Sequence, residues 1–482
     1  MSTIKRQFIA GVFYTAVAKY MGLIIQLVIT GLLARLLSPD DFGLVAIATV
    51  FIAFFNLLSD VGITAAVIQN KTLTDSDIEG IFTFSLYLGV AFALLFWAIS
   101  GALSVFYAKP ALKPICGFLS LVVLFASINV VPNGLLLRAK QFRFIAVRTL
   151  AVQLGCGGLG VLAAYNGFGI YALIVHAVSA AFVMFVVSYS KFPVKFSFKL
   201  QQDGLKKIFN YSAYQFLFNF INYFSRNLDT LFIGKFLSTS LLGFYDKAYR
   251  LMLLPVENLT HVLSPVMHPL FSDFQHDKRR IFEAYMKIAH MLALVGFPLA
   301  AFLHYCAPEL VRIIFGPQWS QSVPVFEILA WSVGLQVVLA SSGAIFQATN
   351  HTRLLFLSGF GSAIVTIAAI CYGVIVARTL EGVAWALLIA YSINFLQVYV
   401  VLCWGLQGSA VTFFRILISP VIIFLMVCAG EVLLMRALPL PSNVMMSFGI
   451  KALVAAITGI AGMLLFKEIR LIRAFIASVR KT

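Results

Sequence analysis

Charge is scarce in this chain. Asp, Glu, Lys and Arg make up 11% of it and hydrophobic residues 61%, whereas a soluble domain carries roughly 25% charged residues. A soluble globular protein of 482 residues is excluded. Acids are scarcer still, with 18 Asp and Glu against 35 Lys and Arg and a net charge of +17. The positive-inside bias of cytoplasmic loops accounts for that excess, so no nucleic-acid partner is expected. The six cysteines (Cys116, Cys156, Cys306, Cys371, Cys403 and Cys428) form no C-x-x-C and no Cys/His cluster, which excludes a disulfide frame or a cysteine metal site. The seven histidines are equally dispersed and no H-E-x-x-H occurs. The lack of a Walker A sequence argues against ATP hydrolysis by this chain. Gly155, Gly157, Gly158 and Gly160 sit inside an apolar run and read as close helix packing, not as a phosphate loop. No cofactor, no metal and no catalytic residue is expected, and the chain does not read as an enzyme.

What remains is apolar. Repeated runs of about 20 residues require a polytopic membrane protein. They are too long for barrel strands and lack strict alternation, so the class is all-α. About fourteen spans are predicted, from one near 9–37 to one near 443–466, with the seventh and eighth near 208–236 and 241–270. The N-terminal run carries Lys19 and no small-residue cleavage motif, so it reads as the first span and not as a cleaved signal. Lys and Arg fix the orientation. Clusters such as Lys278, Arg279 and Arg280 fall on one side, together with both termini. Isolated cations such as Lys109, Lys235 and Arg436 fall on the other. Both termini are therefore cytoplasmic, as an even number of spans requires. The polar stretch 191–207 alternates Lys with Phe like a segment lying on an anionic leaflet, and 466–479 reads as a cytoplasmic interfacial helix.

The chain also repeats itself. Leu33-Ala34-Arg35-Leu36-Leu37-Ser38, then Gly43, returns as Ile233-Gly234-Lys235-Phe236-Leu237-Ser238, then Gly243. Weaker matches continue at Gly134 with Gly343 and Gly169 with Gly382. Each copy holds six spans, so the copies are parallel repeats related by an axis along the membrane normal, an arrangement that transporters use to enclose a substrate. The predicted division is an N-lobe at 1–195 (spans one to six), a C-lobe at 196–410 (spans seven to twelve), and spans thirteen and fourteen with the tail at 411–482.

Charges inside spans carry the functional signal. A charge facing lipid at a helix centre costs roughly 2.5–3.5 kcal/mol on insertion scales. Lys19 lies about ten residues into the first span, roughly 15 Å deep at 1.5 Å per residue. The second span carries Asn56 and Asp60, the seventh Asn219, Asn222, Arg226 and Asp229, and the eighth Asp246, Lys247, Arg250 and Glu257. These are the first two helices of each repeat, which implies a hydrated cleft between the lobes. Structural alternatives stand beside this. Arg226 with Asp229 and Asp246 with Arg250 have the spacing of intrahelical ion pairs. Asp60 and Lys247 are near enough to span ends to snorkel. Lys451 in the last span has no evident partner. Pro255, Pro265 and Pro298 are either hinges or fixed bends.

The stretch 11–19 leading into Leu32-Leu33-Ala34-Arg35-Leu36-Leu37-Ser38-Pro39-Asp40-Asp41-Phe42-Gly43 resembles polysaccharide flippases of the Wzx/colanic-acid-exporter type. Those belong to the multidrug/oligosaccharidyl-lipid/polysaccharide exporter superfamily. Asp60-Val61-Gly62-Ile63 and Phe315-Gly316-Pro317-Gln318-Trp319 share the resemblance. It implies export of an undecaprenyl-diphosphate-linked oligosaccharide, for lipopolysaccharide or exopolysaccharide, across the bacterial inner membrane by alternating access. It also implies a cationic cavity, in which Lys19, Arg226 and Arg250, with Lys247, meet the diphosphate. Asn56, Asn219 and Asn222 would line it. The partners implied are the lipid-linked oligosaccharide, membrane lipids and other polysaccharide assembly proteins. Coupling to H+ or Na+ through Asp60, Asp229, Asp246 or Glu257 is one way to drive such a carrier, and the membrane potential is another. Two rivals remain: an ion-coupled drug/cation antiporter on the same fold, against which the deep cations argue, and a membrane glycan polymerase or ligase. The latter needs catalytic groups in an outer loop, whereas 306–321 offers Glu309 and Arg312 alone.

Overall fold

The computed structural model describes residues 2–60, 62–70, 72–196, 213–272, 277–349, 352–439 and 441–468. The side chains of 2–10, 12, 13, 213–222, 260–272 and 352 lie outside that description. So do most of the Lys/Phe stretch 191–207, the predicted tail helix beyond 468, and the side chains of Asn219, Asn222 and Pro265.

Apolar runs with every backbone group bonded internally become helices, and the described residues hold helices and turns but no strand. They divide into two compact units, Met1–Gly243 and Phe244–Thr482. The first contains α1 (Ser2–Leu36), α2 (Pro39–Asp60), α3 (Ile63–Gln69), α4 (Asp75–Phe106), α5 (Leu112–Arg138), α6 (Phe142–Tyr165), α7 (Tyr171–Lys191) and α8 (Ala213–Phe232). The start of α9 (Thr239–Ser272) belongs to it as well. The second unit holds the rest of α9 and α10 (Lys278–Tyr305), α11 (Ala307–Ile314), α12 (Ser322–Ala330), α13 (Val333–Leu339) and α14 (Ser342–Ala348). It continues with α15 (Thr352–Cys371), α16 (Leu380–Gly405), α17 (Ala410–Ile416), α18 (Ile418–Ala437) and α19 (Val444–Leu465).

This is a multi-pass membrane protein. Eleven helices among the described residues are long and apolar enough to cross a bilayer, and twelve if Ser322–Ala330 and Val333–Ala348, bent by 51°, form one broken span. The sequence predicts about fourteen. The two predicted spans outside this set are α8 and α9, whose charged and amide side chains dilute their apolarity. The outward faces fit lipid: Trp97, Val105, Trp404 and Leu465 are all exposed, a costly arrangement in water but not among acyl chains. Helix α10 runs unbroken through Pro298.

The turns repeated in the sequence are helix caps. At the first, the Asp41 amide donates to Ser38 Oγ at 3.2 Å while the Ser38 amide donates to Asp41 Oδ2 at 3.0 Å. This reciprocal pairing satisfies two donors at the start of α2. At the second, the Leu241 amide donates to Ser238 Oγ at 3.1 Å. The glycines of the two copies then meet within the first unit. A Cβ on Gly43 would lie 1.7 Å from the Thr239 carbonyl oxygen, and one on Gly243 would lie 2.0 Å from the Pro39 carbonyl oxygen. Helices α2 and α9 therefore touch backbone to backbone at their first turns, and only glycine permits it. Asp40 fastens the contact by accepting from Thr239 Oγ1 and from Lys109 Nζ, the latter at 3.3 Å.

Candidate functional site

The second span does not run straight to its end. Gly62 adopts φ +79° and the chain restarts as α3. Asp60 Oδ1 caps that restart, accepting from the Thr64 amide at 3.1 Å and from Thr64 Oγ1 at 2.8 Å. A turn earlier, Asn56 Oδ1 is buried and has no hydrogen-bond partner among the described residues. Tyr223 of α8 donates its hydroxyl to the Val50 carbonyl, and Phe54 packs at 5.2 Å on Phe224. These contacts fix α8 against α2. On α8, Arg226 is exposed and makes no ion pair among the described residues, while Asp229 is buried and accepts the Thr230 amide at 2.7 Å. Lys19 on α1 is half-buried, again with no ion pair among the described residues.

The second unit holds the tightest group. On α9, Asp246 Oδ2 accepts from Lys247 Nζ at 3.2 Å and Oδ1 accepts from Arg250 Nε at 2.8 Å. The i, i+4 pair that the spacing allows is thus formed. Exposure separates the three side chains: Lys247 is 4% exposed, Asp246 14% and Arg250 53%. Lys247 does not reach for a membrane surface. Its ammonium lies 5.8 Å from the centre of the Trp319 ring, in cation–π range. Trp319 is fully buried, edge-on to Phe244 at 5.7 Å. Gly316, at φ +107°, turns the chain so that Pro317–Trp319 can place it there. Ser322 Oγ donates to the Phe244 carbonyl at 2.8 Å and ties this segment to α9. The Phe315-Gly316-Pro317-Gln318-Trp319 motif is therefore the wall against which Lys247 is buried.

Arg250 is left presented. Only its Nε is engaged, and neither terminal nitrogen has a hydrogen-bond partner among the described residues. Asp246 holds the guanidinium by its back while the fork that suits phosphate faces out. Glu257 lies two turns further along and is exposed, within electrostatic reach of Arg250.

A second charged centre escapes the sequence reading. Lys451 is not partnerless: its ammonium sits 2.6 Å from Glu309 Oε1 and donates to the Tyr305 carbonyl at 2.8 Å. Glu431, an acid inside the apolar run of α18, lies nearby. A lone acid in such a run is a signal that the sequence carries.

With this geometry in place, comparison identifies the family. The profile described as polysaccharide biosynthesis protein matches residues 32–324. The chain belongs to that family. Teichuronic acid biosynthesis protein TuaB of Bacillus subtilis is 25% identical over 427 residues, 88% of each chain. Lipopolysaccharide biosynthesis protein WzxC of Escherichia coli is 24% identical over 421 residues, covering 85% of this chain and 83% of its own. Lipid II flippase MurJ in an inward closed conformation superposes with a TM-score of 0.72, over 95% of this chain and 99% of its own, at 14% identity. At that identity the likeness shows a shared fold.

Proposed function

We propose that this protein is a flippase that moves an undecaprenyl-diphosphate-linked oligosaccharide across the bacterial inner membrane by alternating access, with both termini cytoplasmic. The fold shared with MurJ and the polysaccharide roles in the names of TuaB and WzxC support a lipid-linked glycan as cargo. One observation carries the choice of headgroup: the half-exposed Arg250, anchored through Nε and open at both terminal nitrogens. The diphosphate is the cargo's anion, and Arg250 contacts it through that fork. In the first unit, Lys19 and Arg226 have no ion pair among the described residues and are cations that suit the same headgroup during transport. Lys247 acts at second hand by helping to position Asp246. The prenyl chain stays in lipid. Coupling to H+ or Na+ through Asp60, Asp229, Asp246 or Glu257 belongs to the same proposal.

A hydrogen bond to a charged group contributes about 1.5–3 kcal/mol, roughly a tenfold to hundredfold change in binding. Arg250→Ala should therefore reduce glycan export at least about tenfold, with lipid-linked oligosaccharide accumulating on the cytoplasmic face and protein levels unchanged. Lys19→Ala should do the same. Full export by both single variants overturns the anion site.

A further inference from the structure

Helices α10, α11, α18 and α19 enclose a polar centre for which the proposed flipping has no use. Glu431 on α18 is 0% exposed, and both of its carboxyl oxygens lack a hydrogen-bond partner among the described residues. Its charged neighbours are Glu309 of α11 and Lys451 of α19. Tyr305, at the end of α10, and Cys306 just beyond it face the same centre, as does Cys428 on α18 itself. Glu327 of α12 is within reach of Lys451 and Glu309.

The charges within this centre do not cancel if every carboxyl group is ionised. Lys451 neutralises Glu309, to which it is bound at 2.6 Å. Glu309 Oε1 also takes the Ser447 hydroxyl at 2.7 Å, while its Oε2 is buried with no hydrogen-bond partner among the described residues. Glu327 is only partly buried, but an ionised Glu431 would be a fully buried anion with no hydrogen-bond donor among the described residues, among apolar helices where isolated charges are disfavoured. Binding one proton removes that charge.

We infer that Glu431 is a proton-binding site, taking one proton from water when Lys451 is held by Glu309 and returning it when Lys451 turns to Glu431. The bond that forms and breaks is the carboxyl O–H, and the proton is exchanged with the aqueous phase. Lys451 uses two of its three donors in this structure, on Glu309 and the Tyr305 carbonyl. The third is available for the exchange. The seam around it is tightly fitted. A Cβ on Gly430 would lie 2.5 Å from Thr458, and one on Gly462 would lie 3.0 Å from Ile423, so α18 and α19 pack closely on either side of this centre.

Infrared difference spectroscopy on the purified full-length protein in lipid nanodiscs, titrated from neutral to alkaline pH without cargo, tests this. The wild type should show one protonated-carboxyl C=O band per chain at neutral pH that disappears on alkalinisation. Glu431→Gln should lack it. Glu309→Gln should lose it too, because Lys451 is then free to hold Glu431 ionised, and this second variant keeps the test alive if the first fails to fold. A wild-type spectrum superimposable on that of Glu431→Gln, or a band undiminished in Glu309→Gln, overturns the inference. As no cargo is present, neither result bears on the diphosphate site.

Discussion

Lys247 and Arg250 are one turn apart on α9 and share one carboxylate, yet the fold gives them different tasks. Lys247 is buried over Trp319 and is committed to Asp246, while Arg250 is held at one nitrogen and open at the others. Removing the shared carboxylate should hurt through the buried partner. Breaking a buried pair from one side costs roughly 3–5 kcal/mol because the other charge is stranded. Asp246→Asn should thus lower the thermal unfolding midpoint in detergent well below wild type. Adding Lys247→Met, which removes the stranded charge at similar volume, should restore much of the loss, whereas adding Arg250→Met should restore little because half of that side chain is exposed. Equal rescue by both would mean that burial does not distinguish them. The sequence shows these residues as charges inside one helix, and the i, i+4 spacing of Asp246 and Arg250 already contains their pairing. It does not show which cation is buried, because that depends on Trp319, a residue distant in the chain whose place is fixed by the turn at Gly316. The pairing of Lys451 with Glu309 is illegible for the same reason: its two ends come from separate helices.

At the scale of elements, local rules carry far. The repeated Ser turns are readable as helix starts, since a serine side chain caps the next amides without help from elsewhere. That Gly43 and Gly243 then face each other's turn is a tertiary fact, although the recurrence of glycine at one register of both copies points toward a close approach. A side chain at Gly43 meets backbone, which cannot move aside as a side-chain tip can. Overpacking of this kind costs typically 1–3 kcal/mol. Gly101, inside α4, has open space where its Cβ would be, and replacing a helical glycine with alanine there gains up to about 1 kcal/mol. Thermal unfolding should therefore show opposite signs, with Gly43→Ala destabilised and Gly101→Ala unchanged or stabilised. A Gly43→Ala variant as stable as wild type would mean that α2 and α9 do not touch at these turns. The break of the second span at Gly62 shows the opposite limit. Hydropathy runs across it, and only the positive φ together with the Asp60 cap reveals that the helix stops and restarts.

At the scale of the molecule, the distribution of Lys and Arg makes a claim that each loop can test. The turn between α4 and α5 carries Lys109, exposed to about two fifths and paired only with Asp40 among the described residues. The turn between α5 and α6 carries Lys140, exposed at φ +54°. A single span, α5, separates them, so they must open on opposite sides of the membrane. The positive-inside bias puts Lys140, flanked by Arg138 and Arg143, in the cytoplasm and Lys109 outside. The native cysteines are poor targets: Cys116, Cys156, Cys306 and Cys403 are buried, and Cys371 and Cys428 are partly so. Cysteines introduced at Lys109 and Lys140 can therefore be read against a low background with a membrane-impermeant maleimide on intact spheroplasts. Lys109→Cys should label before lysis and Lys140→Cys only after it. The reverse order would invert the whole carrier and place the termini outside. Labelling of both before lysis would mean that α5 does not span the membrane, and the apolar faces that this fold turns toward lipid would need another explanation.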